Sequence, residues 1–173
     1  PKLSTLPERK KLGGGLHSRA TLVNYGYTAG TDKTDPANQT NIIFFSTLGG
    51  ALHGIDAKTG VEKFAFIPKE KIPAIKSLYD NLASTEPEYG MDLTWTVWRK
   101  DGNGDGLIDS TAGDKLFMYG GMRMGGGNYY ALDLTTLTAP KMLFTLTGGS
   151  GAYGNAGQSW SMLWPTRLMP SRW

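Results

Sequence analysis

The sequence predicts an all-β fold made of four-stranded antiparallel units, and three observations lead to this prediction. Short runs of β-branched, aliphatic and aromatic residues recur along the chain. Many of the 24 glycines stand in pairs or triplets between these runs, where tight turns require them. The same order of runs and turns also occurs twice. These features favour a chain built of β-hairpins over a helical one.

Two segments share one layout of three strands separated by turns at hairpin spacing. The predicted strands are Ile42–Ser46, Leu52–Asp56 and Val61–Ile67 in the first segment, and Lys115–Gly120, Asn128–Leu134 and Lys141–Leu146 in the second. The closest match pairs Leu52–Asp56 with Tyr129–Asp133, which lies 77 residues later. In both, a small residue and an aliphatic residue precede an aspartate that opens a turn. The chain therefore contains an internal repeat.

A further strand precedes each repeat, because Ser or Thr residues alternate with bulky ones at His17–Val23, Leu93–Trp98 and Gln158–Leu163. One strand, a variable loop and three hairpin strands compose a propeller blade. We therefore predict a β-propeller fragment of two four-stranded blades, at 17–67 and 92–147, and the first strand of a third within 157–173. Closed propellers have about four to eight blades, so we expect a truncated domain that does not close alone.

One stretch departs from the β pattern. Apolar residues fall at helical spacing from Ile72 to Leu82, and Pro73 is tolerated in a first helical turn. The pattern predicts a short amphipathic helix within an insertion at 68–84, with its apolar stripe used for packing.

Composition and charge exclude several classes of protein. The net charge of +3 is mild, and the basic clusters at Arg9–Lys11 and Lys69–Lys76 lack interleaved aromatic residues. We interpret them as solvated surface and expect no nucleic-acid partner. The absence of cysteine excludes disulfides and thiolate metal sites. No apolar run approaches the roughly 20 residues that a membrane-spanning helix needs, so no transmembrane segment is predicted.

The most specific chemical signal is the run DGNGDGLID that begins at Asp101. Its oxygen-bearing side chains follow the ligand spacing of an EF-hand loop at positions 1, 3, 5 and 9, with glycine at position 6. The predicted ligands are Asp101, Asn103, Asp105 and Asp109, with the backbone carbonyl of Leu107 at position 7. Three carboxylates suit a hard divalent cation, and magnesium prefers bound waters and octahedral geometry. The loop therefore predicts a calcium site.

The loop departs from an EF-hand in two respects. Ala112 stands at position 12, where an EF-hand supplies a bidentate glutamate, and strands rather than helices are predicted on both sides. We expect an EF-hand-like loop inside a β-hairpin, completed by water or a bidentate Asp109, with an affinity of about micromolar or weaker. The alternative is an acidic turn without metal. The corresponding loop at Thr31–Asn38 has its oxygens out of register and a lysine among them, so we interpret it as a plain polar loop.

Catalytic motifs are lacking. The two histidines, His17 and His53, have no HExxH motif, G-x-S-x-G elbow or cysteine to accompany them. The glycine-rich run Gly120–Gly127 leads into a strand rather than a helix, so it is predicted to be a hairpin turn and not a phosphate loop. These observations favour a binding and assembly role over an enzyme.

Four segments, following one another in order over most of the chain, carry a family resemblance. They are Lys11–Gly13 with His17-Ser18, Leu52–Gly60, Phe64–Pro68 and Tyr130–Thr135. In these segments the chain resembles the C-terminal propeller of the PilY family of type IV pilus biogenesis and pilus-tip proteins.

That resemblance implies a function. In the family a similar Asp/Asn loop binds calcium, which here implies Asp101, Asn103, Asp105 and Asp109 as ligands. It further implies an exported, non-enzymatic protein of the periplasm, outer surface or pilus tip, with calcium occupancy regulating the pilus. Its partners would be pilus components, or host and surface ligands, through the full-length protein.

Two alternatives remain at this point. The run Asp56–Gly60, followed by Phe64, also resembles the repeat of quinone-dependent alcohol and glucose dehydrogenases, which are propellers too. Those repeats usually end in a docking tryptophan where this chain has Phe64, and one good copy is present. The other alternative is a non-catalytic periplasmic assembly scaffold with the same type of blade.

Overall fold

The computed structural model describes residues 13–75 and 89–163, so residues 164–173 of the predicted next blade lie outside the description. Within these ranges eight strands form two four-stranded antiparallel sheets, in the orders β1-β2-β3-β4 and β5-β6-β7-β8. The strands are β1 (Thr21–Tyr27), β2 (Gln39–Ser46), β3 (Leu52–Asp56), β4 (Glu62–Phe66), β5 (Thr96–Lys100), β6 (Lys115–Gly121), β7 (Tyr129–Asp133) and β8 (Lys141–Leu146). The predicted all-β class and the two four-stranded units are confirmed.

The hairpin strands lie close to their predicted positions. β3 and β8 have the predicted bounds, and β6 extends one residue further, to Gly121. The glycine-rich run after β6 holds a short 3₁₀ turn at Arg123–Gly125 and leads into β7, as a hairpin connection does. The blade boundaries at 17–67 and 92–147 remain predictions.

The first strand of each sheet begins later than the sequence predicts. β1 starts at Thr21, four residues late, and β5 starts at Thr96, three residues late. Residues just ahead of them bond between the two sheets. The backbone N–H of His17 donates to Asp92 Oδ1 (2.9 Å), and that of Arg19 donates to the Thr94 hydroxyl (2.9 Å). Packing of one sheet on the other therefore sets where these strands begin.

The predicted third-blade strand at Gln158–Leu163 is not a strand in the structure. A strand must pair its backbone with a neighbour, and none of the described strands pairs with this segment. Instead, Ser159 is buried against the β6–β7 connection. Its hydroxyl accepts hydrogen bonds from the N–H groups of Met122 (3.0 Å) and Arg123 (2.9 Å), and donates to the Gly126 carbonyl (3.2 Å).

Only the start of the predicted helix at Ile72–Leu82 is described. A 3₁₀ turn at Lys69–Lys71 leads into helical residues 72–75, and residues 76–82 of the prediction lie outside the described residues. Within the described ranges, no helix is both long and apolar enough to cross a membrane.

The two sheets share one hydrophobic core. In the first sheet the rings of Phe44 and Phe64 meet edge to face, with centroids 6.3 Å apart. Phe66 carries this packing into the second sheet, where it meets Trp95 (6.3 Å) and Tyr130 (5.5 Å) edge to face. Each fully buried side chain of this kind contributes about 1.5–3 kcal/mol through removal of apolar surface from water. The fourth strand of one sheet thus packs on Trp95, just ahead of β5, and on β7 of the next sheet.

Candidate calcium-binding loop

The candidate loop connects β5 to β6, directly after Lys100 and before Lys115. Gly104 and Gly106 have φ angles of 76° and 87°, in the left-handed region that side chains with a Cβ disfavour. Their spacing allows the chain to turn tightly between the predicted ligands. A 3₁₀ turn at Ser110–Ala112 then leads towards β6.

The side chain of Asp101 organises the first half of this loop. Its Oδ1 accepts the N–H of Gly104 (2.7 Å) and its Oδ2 accepts the N–H of Gly106 (2.9 Å). Because these two amides flank Asp105 in the chain, the backbone curls around the Asp101 carboxylate.

Asn103 and Asp105 contact each other directly. The Asn103 amide donates to Asp105 Oδ2 (2.8 Å), and the Asp105 N–H donates to Asn103 Oδ1 (3.2 Å). Asp105 Oδ1 also accepts the N–H of Leu107 (2.7 Å). The structure thus gathers the oxygens of positions 1, 3 and 5 on one curl of backbone.

Asp109 is oriented differently from the other predicted ligands. Its Oδ1 accepts both the N–H and the hydroxyl of Thr111, each at 2.8 Å, so it caps the 3₁₀ turn that follows. Across residues 13–75 and 89–163, no three Asp, Glu, His or Cys side chains lie together in a way that could hold a metal ion. The oxygen-only ligands fit calcium chemically, but Asp109 must turn away from Thr111 to join them.

Asp114 contacts the candidate loop, although the spacing argument did not select it. It is fully buried, and its two carboxylate oxygens accept the N–H groups of Gly102 (2.7 Å) and Asp109 (2.9 Å). Hydrogen bonds from Asp109 and then from Gly102 hold the pKa of Asp114 below its ordinary value. The only signal in the sequence was a further aspartate just before the next strand.

Arg99 supplies a compensating positive charge at the loop. Its guanidinium donates to the Gly106 carbonyl (2.8 Å) and lies 3.9 Å from Asp101 Oδ2. A polar cleft of about 280 Å³ opens beside it, and its lining includes Asp101, Asp105, Lys33 and Gln39. Two of the predicted ligands therefore border an open polar cleft.

The second half of the loop docks on the first sheet. The N–H of Ile108 donates to the Tyr25 carbonyl (3.0 Å), and the Tyr27 hydroxyl donates to the Asp105 carbonyl (3.4 Å). The register of β1 shifts between Asn24 and Gly26, and Leu107 packs against Gly26. The loop therefore lies at the junction of the two sheets.

Replacing Gly26 by alanine is expected to destabilise the protein by about 2 kcal/mol. Gly26 has φ +121°, and a Cβ there would lie 2.6 Å from Leu107 Cδ2 and 2.9 Å from its Cα. Gly30→Ala is the matched control, because Gly30 also has positive φ (+80°) but has no atom within 4 Å of a Cβ. Urea unfolding should show a larger loss for Gly26→Ala. Equal losses would contradict the close approach of the loop.

A second polar cluster joins the sheets near the ends of β1, β5 and β6. The buried carboxylate of Asp92 accepts the His17 N–H, and its Oδ2 lies 2.7 Å from His17 Nδ1 and 3.1 Å from Arg123 Nη1. Burial alone would raise the pKa of Asp92, but hydrogen bonds from His17 and Arg123 outweigh it and hold the pKa below its ordinary value. Arg123 also lies over the Trp160 ring, 5.2 Å from its centroid. Both histidines are engaged, since His53 Nδ1 lies 3.0 Å from Glu62.

Fold and site together define a class of protein. The chain is a β-propeller fragment of two four-stranded blades that do not close into a ring, with an EF-hand-like loop at the junction of the blades.

Comparison with known proteins relates the chain to a family. No family model matches the chain. The chain is 29% identical over 122 residues to a type IV pilus biogenesis factor PilY1 homolog of Xylella fastidiosa, covering 69% of this chain and 9% of that protein. It is 28% identical over 145 residues to PilY1 of Pseudomonas aeruginosa, covering 83% of this chain and 12% of that protein. The chain is thus related to the PilY family, which confirms the resemblance seen in the sequence.

One solved structure also matches. The crystal structure of the Pseudomonas aeruginosa PilY1 C-terminal domain aligns with a TM-score of 0.41 and 24% identity, over 62% of this chain and 19% of that chain. The chain spans only about a tenth of the length of the two curated relatives, at 9% and 12%.

Proposed function

We propose that this chain is a calcium-binding, non-catalytic propeller module of a protein for type IV pilus assembly or adhesion. The pilus role is supported by the similarity to two PilY1 biogenesis factors. The observation that supports calcium binding is the curl of Asp101, Asn103 and Asp105, whose side-chain oxygens accept successive loop amides from Gly104 to Leu107. Partners would be pilus components, or host and surface ligands, met by the full-length protein.

The proposed ligands are Asp101, Asn103, Asp105, the Leu107 carbonyl and Asp109. Three of these five carry negative charge. The guanidinium of Arg99 lies 3.9 Å from Asp101 Oδ2 and offsets only part of that charge. Bound calcium would neutralise the remaining charge and cross-link both halves of the loop. Without an ion, the second half stays anchored through Asp109 and Thr111.

Calcium occupancy would act on the junction of the sheets. Leu107, itself a proposed ligand, packs on Gly26 of the first sheet, and Ile108, which precedes Asp109, bonds to Tyr25. Ordering the loop therefore stabilises that contact as well. At the weak end of the expected range, an affinity of about 10⁻⁴–10⁻³ M is typical of extracellular modules, which would suit an exported protein of the periplasm, outer surface or pilus tip.

A non-catalytic role is supported by the use that the chain makes of its reactive groups. His17 is paired with Asp92, and His53 lies between Glu62 (3.0 Å) and the Thr47 hydroxyl (3.3 Å), so both imidazoles serve local structure. Phe64, which stands where quinone-dependent dehydrogenase repeats carry a docking tryptophan, is 8% exposed and packs in the core. No contact of the described residues favours a quinone enzyme.

Replacing Asp109 by asparagine is expected to reduce calcium-dependent stabilisation strongly, because asparagine is neutral and cannot bind calcium through two carboxylate oxygens. Asparagine can still cap the 3₁₀ turn, so the metal-free protein should lose little stability. For the wild type, calcium at a hundredfold excess over Kd should stabilise folding by about 2.7 kcal/mol. Calorimetric titration and melting curves with and without calcium measure both effects.

Asp32→Asn is the matched control for this variant. Asp32 accepts the N–H (2.8 Å) and hydroxyl (2.7 Å) of Thr34, as Asp109 does with Thr111, but it lies in the polar loop of the first sheet. Its replacement should leave calcium binding unchanged. A folded wild type that binds no calcium, or equal binding by Asp109→Asn, would refute the proposal.

A further inference from the structure

We infer that Asp114 is a positioning residue for the calcium loop: it binds no ion itself but holds the first and last ligands at their separation. This inference rests on the proposed function. Asp114 is fully buried, and both of its oxygens are already occupied by loop amides, those of Gly102 and Asp109. It also does not line the polar cleft beside Asp101.

The two amides that Asp114 holds stand at opposite ends of the ligand run. Gly102 directly follows the first ligand, Asp101, and Asp109 is itself the last ligand. One carboxylate therefore spans the loop and ties its ends together at 2.7 Å and 2.9 Å. The distance between first and last ligand is set by this bridge and not by the flexible glycines between them.

The surrounding backbone keeps Asp114 in place. Its own N–H donates to the Asp109 carbonyl (3.2 Å), so the two residues are bonded in both directions. Gly113, with φ +81°, makes the left-handed turn that brings Asp114 back under the loop. A Cβ on Gly102 would lie 3.3 Å from Asp114 Oδ1, so a larger residue there would crowd the bridge.

An ionised carboxylate suits this position because it only accepts hydrogen bonds. Asparagine has one accepting oxygen and one donating NH₂ group, so in Asp114→Asn a donor would face a backbone N–H at one end of the loop. One of the two bonds is then lost and replaced by donor–donor repulsion. The loop should open at that end while the sheets remain folded.

The experiment measures calcium affinity and amide exchange in Asp114→Asn. We expect calcium affinity to fall by about tenfold to 100-fold, as happens when a group that orients metal ligands is removed. In the metal-free protein, hydrogen exchange at the Gly102 or Asp109 amide should also become faster than in the wild type. A purely structural role would lower stability without changing calcium affinity.

Asp56→Asn is the matched control. Asp56 likewise accepts two backbone N–H groups, from Lys58 (3.0 Å) and Thr59 (2.9 Å), but in the β3–β4 turn of the first sheet. The Asp56→Asn substitution should lower the free energy of unfolding and leave calcium affinity unchanged.

Either measurement can overturn the inference. It would be wrong if Asp114→Asn left calcium affinity unchanged, or left hydrogen exchange unchanged at both the Gly102 and the Asp109 amide. Fast exchange of both amides in the wild type would also overturn it, and that measurement needs no variant to fold. A wild type that binds no calcium would instead refute the proposed function. Exchange rates of the Gly102 and Asp109 amides would then test separately whether Asp114 ties the ends of the loop together.

Discussion

Replacing Gly125 by alanine is expected to destabilise the protein by about 3 kcal/mol, near the upper end for an added methyl group in a packed site. A Cβ at Gly125 would lie 1.8 Å from the Gly90 carbonyl oxygen and 2.8 Å from that of Tyr89. Gly90 cannot yield, because a Cβ there would itself meet Gly50 N at 2.2 Å and Leu48 O at 2.4 Å. Backbone therefore packs on backbone from both sheets, and no change of rotamer relieves the clash.

Urea unfolding followed by tryptophan fluorescence measures this loss. Gly14→Ala is the control, because a Cβ at Gly14 has no atom within 4 Å and should change the free energy of unfolding by less than about 0.5 kcal/mol. An unchanged unfolding midpoint for Gly125→Ala would show that the two sheets do not meet at Gly90.

Replacing Asp92 by alanine should cost about 3 kcal/mol, the lower end for breaking a buried ion pair, because its partners are partly exposed. The carboxylate is fully buried and binds His17 and Arg123. Its removal leaves the Arg123 guanidinium, which is held over Trp160, without its anion. The same unfolding experiment measures the loss, and a change below about 0.5 kcal/mol would contradict a role in joining the sheets.

The contribution of Asp92 should also depend on pH. Its folded-state pKa lies below the ordinary value, so the unfolded chain takes up the proton first as the pH falls. The stabilisation is therefore fully present above the unfolded aspartate pKa of about 3.9, and it is lost as the pH falls through the lower pKa of the folded state. The free-energy difference between wild type and Asp92→Asn should shrink from pH 7 to pH 3. A constant difference would contradict this linkage.

Much of the fold could be predicted from the sequence, because hairpin strands and turns depend on nearby residues. β3 and β8 lie at their predicted bounds because alternating runs between turn residues depend on neighbours only a few positions away. The curl of Asp101 is local too, since its side chain binds amides three and five residues ahead. The spacing of oxygens and glycines was therefore enough to locate the loop.

The packing of one sheet on the other decided the rest. Asp92 contacts His17, which lies 75 residues away in the sequence, and Gly125 contacts the backbone of Gly90. Neither contact can be predicted from a pattern of neighbouring residues. Asp114 lies close in sequence, but only the folded structure shows that both of its oxygens bind loop amides. Side-chain periodicity and turn chemistry act over a few residues, which is why the sequence by itself determined the hairpin strands and the spacing of the loop oxygens. Burial and close approach depend on how distant strands pack, and those contacts only the tertiary structure could decide.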